Sequence, residues 1–199
     1  MSGFIIPNVI TRTPEGERAL DIYSRLLTER VIYLGTAVND EVANSIISQL
    51  LHLESESSDL PVSLYLNSAG GDLPSILAIY DAMQFIRPDV ETTCVGQAVA
   101  GSAVLLAGGA KGSRSILRHG RVILAPPASE GGRAAIPDLL LEAEEMQRTR
   151  ALLDAILASH TSHSTEEIHL DSERQRVFSA EAAREYGIVD RVITSREVS

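Results

Sequence analysis

From Val31 to Ile193 short β-rich runs alternate with helical runs, and the connections between them are short. Strand–helix alternation of this kind predicts an α/β fold. Val31 to Leu34 reads as a strand. Asp40 to Glu54 carries apolar residues at helical spacing (Val42, Ile46, Ile47, Leu50, Leu51), with Asn39 as its N-cap. Val62 to Leu66 is a strand that ends in the Asn67 to Gly71 turn. Leu73 to Ile86 is a helix with Pro74 in its first turn and Pro88 beyond its end. Thr92 to Gly96 is the next strand, followed by a small-residue helix from about Val99 to Gly108. Arg121 to Leu124 is another strand, after which Pro126, Pro127, Gly131 and Gly132 interrupt regular structure. A long helix from about Pro137 to Ser159 follows, with apolar residues at Leu140, Met146, Leu152, Leu153 and Ile156. Thr165 to Leu170 and Ala180 to Tyr186 read as short helices, and Ile188 to Ile193 as a final strand. No linker, repeat or low-complexity segment divides the chain, so residues 1–199 are expected to form one domain.

At 199 residues and 44% hydrophobic composition the chain can bury a substantial core. Its net charge of −10, without long like-charged blocks, disfavours nucleic acid and anionic membrane as partners. The single cysteine, Cys94, excludes an internal disulfide and suits a reducing compartment. No apolar run has the length of a membrane span, and no secretory signal is visible, so the cytoplasm is the expected location.

The segment Cys94 to Ala103 (CVGQAVAGSA) reads as a strand end running through a tight turn into a helix of small residues. Several hydrolases present a nucleophile this way, exposed at the turn with backbone N–H groups beside it to hold an oxyanion. The turn position here is Ala100. A methyl group cannot attack a carbonyl.

Several motifs, in order, resemble the proteolytic subunit of the caseinolytic (Clp) protease. They are Asp21-Ile22-Tyr23-Ser24-Arg25-Leu26-Leu27, Asn67-Ser68-Ala69-Gly70-Gly71 and Ile79 to Ile86. Gly96-Gln97-Ala98, Ala110-Lys111-Gly112 and Ser179-Ala180 to Tyr186-Gly187 complete the set. The resemblance spans nearly the whole chain. It implies the spiral fold shared with crotonases, with residues 1–20 as an axial-loop segment and about 126–160 as a protruding handle. It also implies stacked heptameric rings and an ATP-driven unfoldase as partner.

That family is a serine peptidase, and this chain departs from it at all three triad positions. Ala100 stands at the serine, Ala125 at the histidine and Gln175 at the aspartate. Gly71 and Gly101 match the oxyanion-hole positions. Ala69 replaces the family's proline, and Asp72 adds a charge beside the groove. Glu173 and Arg174 match an acidic–basic pair that bridges the rings. Leu51, Tyr65 and Phe85 match the unfoldase-docking pocket, whereas Ser63, Thr93 and Ser115 stand where larger apolar residues are usual. Each such swap removes about 1 kcal/mol or more of apolar burial, so weak docking is expected.

The resulting expectation is a catalytically inactive subunit that joins rings with an active paralogue. One alternative is a peptidase using Ser102, but two helical residues turn a side chain by roughly 200°, away from the elbow. Another is a crotonase-like acyl-CoA enzyme with Gly71 and Gly101 as oxyanion donors. No metal or cofactor is expected. His160, His163 and His169 lie on a polar helix end that reads as solvated, and Glu142, Glu144, Glu145, Arg148 and Arg150 as an exposed ion-pairing face.

Overall fold

A computed structural model describes residues 7–13, 16–126 and 135–195. A seven-stranded sheet with helices against one face organises them. β1 (Asn8–Thr13) and β2 (Gly16–Asp21) form an antiparallel hairpin outside that sheet. The hairpin covers part of the expected axial-loop segment, and residues 1–6, 14 and 15 lie outside the described residues. α1 (Ile22–Thr28) follows, capped by Asp21, which accepts from the Tyr23 and Ser24 N–H groups.

β3 (Val31–Leu34), α2 (Asp40–Glu56), β4 (Val62–Ser68), α3 (Leu73–Phe85) and β5 (Val90–Val99) form two successive crossover units. α4 (Gly101–Ala107), β6 (Arg114–Leu117) and β7 (Arg121–Ile123) follow. α5 (Ile136–His160), α6 (Thr165–Glu173), β8 (Val177–Ser179), α7 (Ala180–Tyr186) and β9 (Arg191–Ile193) complete the chain. The strand order is β3-β4-β5-β6-β9, with β7 also on β5 and β8 on β7. Every pairing in this sheet is parallel except β7–β8.

Asn39 caps α2 as the sequence predicts, accepting from the Val42 N–H at 2.9 Å. α2 buries Ala43, Ile46, Leu50 and Leu53, and α3 buries Ile76, Ile79 and Met83. Both pack on the sheet face that carries Ile32, Leu34, Leu64, Leu66, Cys94 and Ile116. All seven residues of α4 are buried, so small side chains are required there. Burial raises the Cys94 thiol pKa to about 11, as befits a core residue.

Two boundaries at the elbow differ from the sequence reading, and the last strand is shorter than read, Arg191–Ile193. The strand expected to end at Gly96 runs to Val99, and the helix expected from Val99 begins at Gly101. The cause is an irregularity against β4: Leu66 pairs with Cys94, but Ser68 pairs with Ala98. Gly96 sits at that bulge, where an added Cβ would lie 2.5 Å from Asn67 Oδ1, and the same oxygen accepts from the Gln97 N–H. The strand thus continues beyond β6 and meets β7 with its last three residues. Strands β6 and β8 and the β1–β2 hairpin went unread because they are short or polar.

The expected apolar stripe on the long helix also splits. α5 buries only Leu153, Asp154 and Leu157. Ile136, Leu140 and Leu141 are exposed, so the first turns of α5 stand away from the rest of the described chain.

Candidate active site

Strand register assembles the elbow. Gln97, Ala98 and Val99 of β5 pair with Arg121, Val122 and Ile123 of β7, and the Ala100 N–H donates to the Ile123 carbonyl at 2.8 Å. β7 in turn pairs antiparallel with β8, Ile123 opposite Val177. The Leu124 N–H donates to the Arg176 carbonyl at 3.0 Å. Ala125 and Gln175 are the chain neighbours of that bonded pair, Gln175 in the turn after α6. The three positions singled out in the sequence therefore gather at one end of the sheet.

Ala100 has φ 49° and ψ −118°, a strained backbone for a residue with a Cβ. Such conformations cost about 1–3 kcal/mol and persist where the surroundings impose them. This is the sharp strand-to-helix turn that exposes a nucleophile, occupied by a methyl group. Gln175 also has positive φ, 50°, and its side chain is exposed.

Ala100, Leu124, Ala125, Pro126, Val104 and Leu153 line a cavity of about 20 Å³. That is room for one water. Arg150, Asp154 and Ser172 complete its wall. Ser102, the alternative nucleophile, is 0% exposed, and its hydroxyl has no hydrogen-bond partner. It faces packed interior rather than the elbow.

Gly70 and Gly71 hold φ of 96° and 148°. Gly71 bridges to Val38, where the Val38 N–H donates to the Gly70 carbonyl and the Asp72 N–H to the Val38 carbonyl, each at 2.8 Å. The Gly71 N–H takes no part in that bridge. An added Cβ at Gly71 would meet the Val38 carbonyl oxygen at 2.1 Å. Gly71→Ala is therefore expected to destabilise the fold by about 2 kcal/mol or more. A denaturant unfolding curve indistinguishable from wild type would refute this. The Asp72 charge is absorbed locally as the N-cap of α3, accepting from the Ser75 N–H and hydroxyl.

The polar surroundings were misread from sequence. Arg148 pairs with Glu145 on the surface as expected, but Arg150 turns inward. Its Nε is buried without a partner, while Nη1 lies 3.5 Å from Glu173 Oε1. None of the three histidines is simply solvated, because the second half of α5 packs on α4 and α6. His160 Nε2 meets the Tyr80 hydroxyl at 2.8 Å, and the His163 ring stacks on Tyr186 at 3.8 Å. His169 Nδ1 meets the buried Asp154 Oδ2 at 2.8 Å. An imidazole held by a carboxylate is part of what a triad needs. Its other nitrogen, however, faces Glu173 Oε1 at 3.6 Å, not a hydroxyl. Asp154 is the carboxylate on the wall of the cavity beside Ala100.

Glu173 thus reaches Arg150 and His169 rather than its neighbour Arg174, and Glu173 and Arg174 are both exposed. Among the docking positions, Tyr65, Thr93 and Ser115 share one row of the sheet, Tyr65 opposite Thr93 and Thr93 opposite Ser115. A hollow of about 550 Å³ collects Tyr65 and Thr93 with Val95, Leu117 and Ile193. Of the last three, Leu117 was missed in sequence because β6 was not recognised. Ser115 is buried within the chain, Ser63 is half-buried, and Leu51 and Phe85 are exposed on α2 and α3. Among the described residues no cluster of three or more His, Cys, Asp or Glu side chains is placed to hold a metal ion. No helix among them is long and apolar enough to cross a membrane.

A mostly parallel sheet closed at one end by a strand-to-helix elbow, with a glycine turn beside it, is consistent with the Clp protease fold. The chain belongs to the Clp protease family, whose pattern it matches over residues 14–196. It is 55% identical over 197 residues to the ATP-dependent Clp protease proteolytic subunit 1 of Nocardia farcinica, covering 98% of this chain and 100% of that one. It is 49% identical to proteolytic subunit 4 of Rhodococcus jostii, with 98% and 100% covered. Identity to proteolytic subunit 2 of Streptomyces avermitilis is 47%, with 98% of each chain covered.

Proposed function

We propose that this chain is a catalytically inactive Clp-family subunit, working in the cytoplasm. In this reading it assembles into stacked heptameric rings with an active paralogue, a tetradecamer served by an ATP-driven unfoldase. The observation that carries the reading is the strained elbow at Ala100, kept in nucleophile-presenting geometry without a hydroxyl. Ala125 supplies no base and Gln175 no charge. Exposed Ile136, Leu140 and Leu141 on α5, together with exposed Glu173 and Arg174, support assembly through the handle. Positions 71 and 101 act in this reading as peptide-groove amides rather than as an oxyanion hole in use.

Co-expression with an active Clp proteolytic subunit, followed by mass measurement and a peptidase assay, tests the proposal. Mixed rings whose activity depends wholly on the paralogue's serine are expected. Homomeric, inert particles alone would discard the mixed-ring assignment.

Unfoldase docking on this subunit is weak in the same account. Thr93 replaces apolar area beside Tyr65 in the hollow at the sheet edge. An apolar loop peptide should bind this subunit at least tenfold more weakly than it binds the active paralogue, corresponding to about 1.4 kcal/mol. Equal dissociation constants by fluorescence anisotropy would contradict it.

A further inference from the structure

A further unassigned cleft lies away from the elbow. It has a volume of about 520 Å³ and opens between the α3–β5 turn, the turn from Gly108 to Gly112 and the end of α5. In a chain of net charge −10, this cleft is lined by Arg87, Lys111, Arg114 and His160, and Asp89 is the one carboxylate among its lining residues. The Arg114 charge is matched by Asp190 at 2.6 Å. Arg87 and Lys111 make no ion pair among the described residues. The Lys111 N–H and the Ser162 hydroxyl, both on the wall, are likewise without acceptors there. Donors thus converge on the cleft from three separate segments. The side chains of Met83, Ile86 and Val90 give it an apolar side.

We propose that this cleft binds a small organic phosphate, its phosphoryl group held by Arg87, Lys111 and the Lys111 N–H, its apolar part against Met83 and Ile86. The volume falls in the range of small-molecule sites and exceeds what inorganic phosphate fills. Free cationic side chains and an unused backbone N–H are the donors that phosphoryl oxygens take. His160 reports on occupancy. Burial first, and the Arg114 charge second, hold its pKa below 6.5, so the ring is neutral at pH 7. An anion in the cleft offsets the Arg114 field and raises that value. The inference concerns a different face of the molecule from the elbow and stands whether or not the chain is inactive.

The test is calorimetric titration of the assembled protein with phenyl phosphate and with inorganic phosphate at fixed ionic strength. Saturable binding of phenyl phosphate, tighter than inorganic phosphate, is expected. The Arg87→Gln, Lys111→Gln double variant should bind at least tenfold more weakly with an unchanged melting temperature, both residues being exposed. The His160 imidazole NMR titration midpoint should rise on loading. Absence of saturable binding, equal affinity for the two probes, wild-type affinity in the double variant, or an unmoved His160 midpoint would each overturn the assignment.

Discussion

Restoring the hydroxyl alone should not restore catalysis. An Ala100→Ser variant is expected to hydrolyse a fluorogenic peptide at the rate of the unmodified chain. The serine would sit at the right turn, with φ 49° already imposed. In the proposed reading its proton would have nowhere to go: Ala125 stands at the base position, and Gln175 carries no charge to steady an imidazolium. Residues of a triad act as a unit, and loss of the base alone costs on the order of 10⁶-fold in turnover. Peptidase activity in the single variant, abolished by a serine-reactive phosphonate, would show that a base has been overlooked. His169, the one imidazole held by a carboxylate beside the cavity at Ala100, would be the first suspect.

The second large effect concerns the fold. Arg114→Ala is expected to destabilise the chain by about 3 kcal/mol, since it leaves a partly buried carboxylate without its cation. Arg114 is buried and makes four side-chain hydrogen bonds to three residues. Its Nε and Nη2 donate to Asp190 at 2.9 and 2.6 Å, and Nη1 donates to the His160 carbonyl at 2.8 Å and the Ala107 carbonyl at 3.4 Å. The side chain therefore ties β6 to the entrance of β9 and to the ends of α4 and α5. Burial alone would raise the Asp190 pKa, but the Arg114 contacts and the Gly112 N–H outweigh it and hold the carboxyl below 3.8. A depressed carboxylate contributes stability above its unfolded value and loses it as pH falls through the folded value. The gap between wild type and Arg114→Ala in urea midpoint should therefore narrow as pH drops below about 4. A gap unchanged between pH 7 and pH 3 would contradict this account.

The fold was legible wherever helical or alternating periodicity was strong. α2, α3 and α7 came from spacing and caps such as Asn39 and Pro74. The strand ends were not, because β5 acquires its last residues from a bulge at Gly96 that no periodicity encodes. β6 hid behind Arg114 and Ser115, polar residues buried by tertiary partners rather than by pattern. The elbow was legible as Ala100 between a strand and a small-residue helix, and the β7–β8 pairing explains why the segments carrying Ala125 and Gln175 run beside each other. The polar shell was not. Arg150 and His169 looked like free surface residues, and only the packing of α5 on α6 brings Arg150 to the His169 carbonyl and the His169 ring to Asp154.

The central claim is that this subunit performs no covalent catalysis, alone or in a ring. Intact-mass measurement after treatment with a serine-reactive phosphonate, on the isolated chain and on mixed rings with an active paralogue, tests it most directly. The account predicts an adduct on the paralogue only, with this chain at its unmodified mass in both samples. A stoichiometric adduct on this chain, at Ser102 or any other residue, would contradict it.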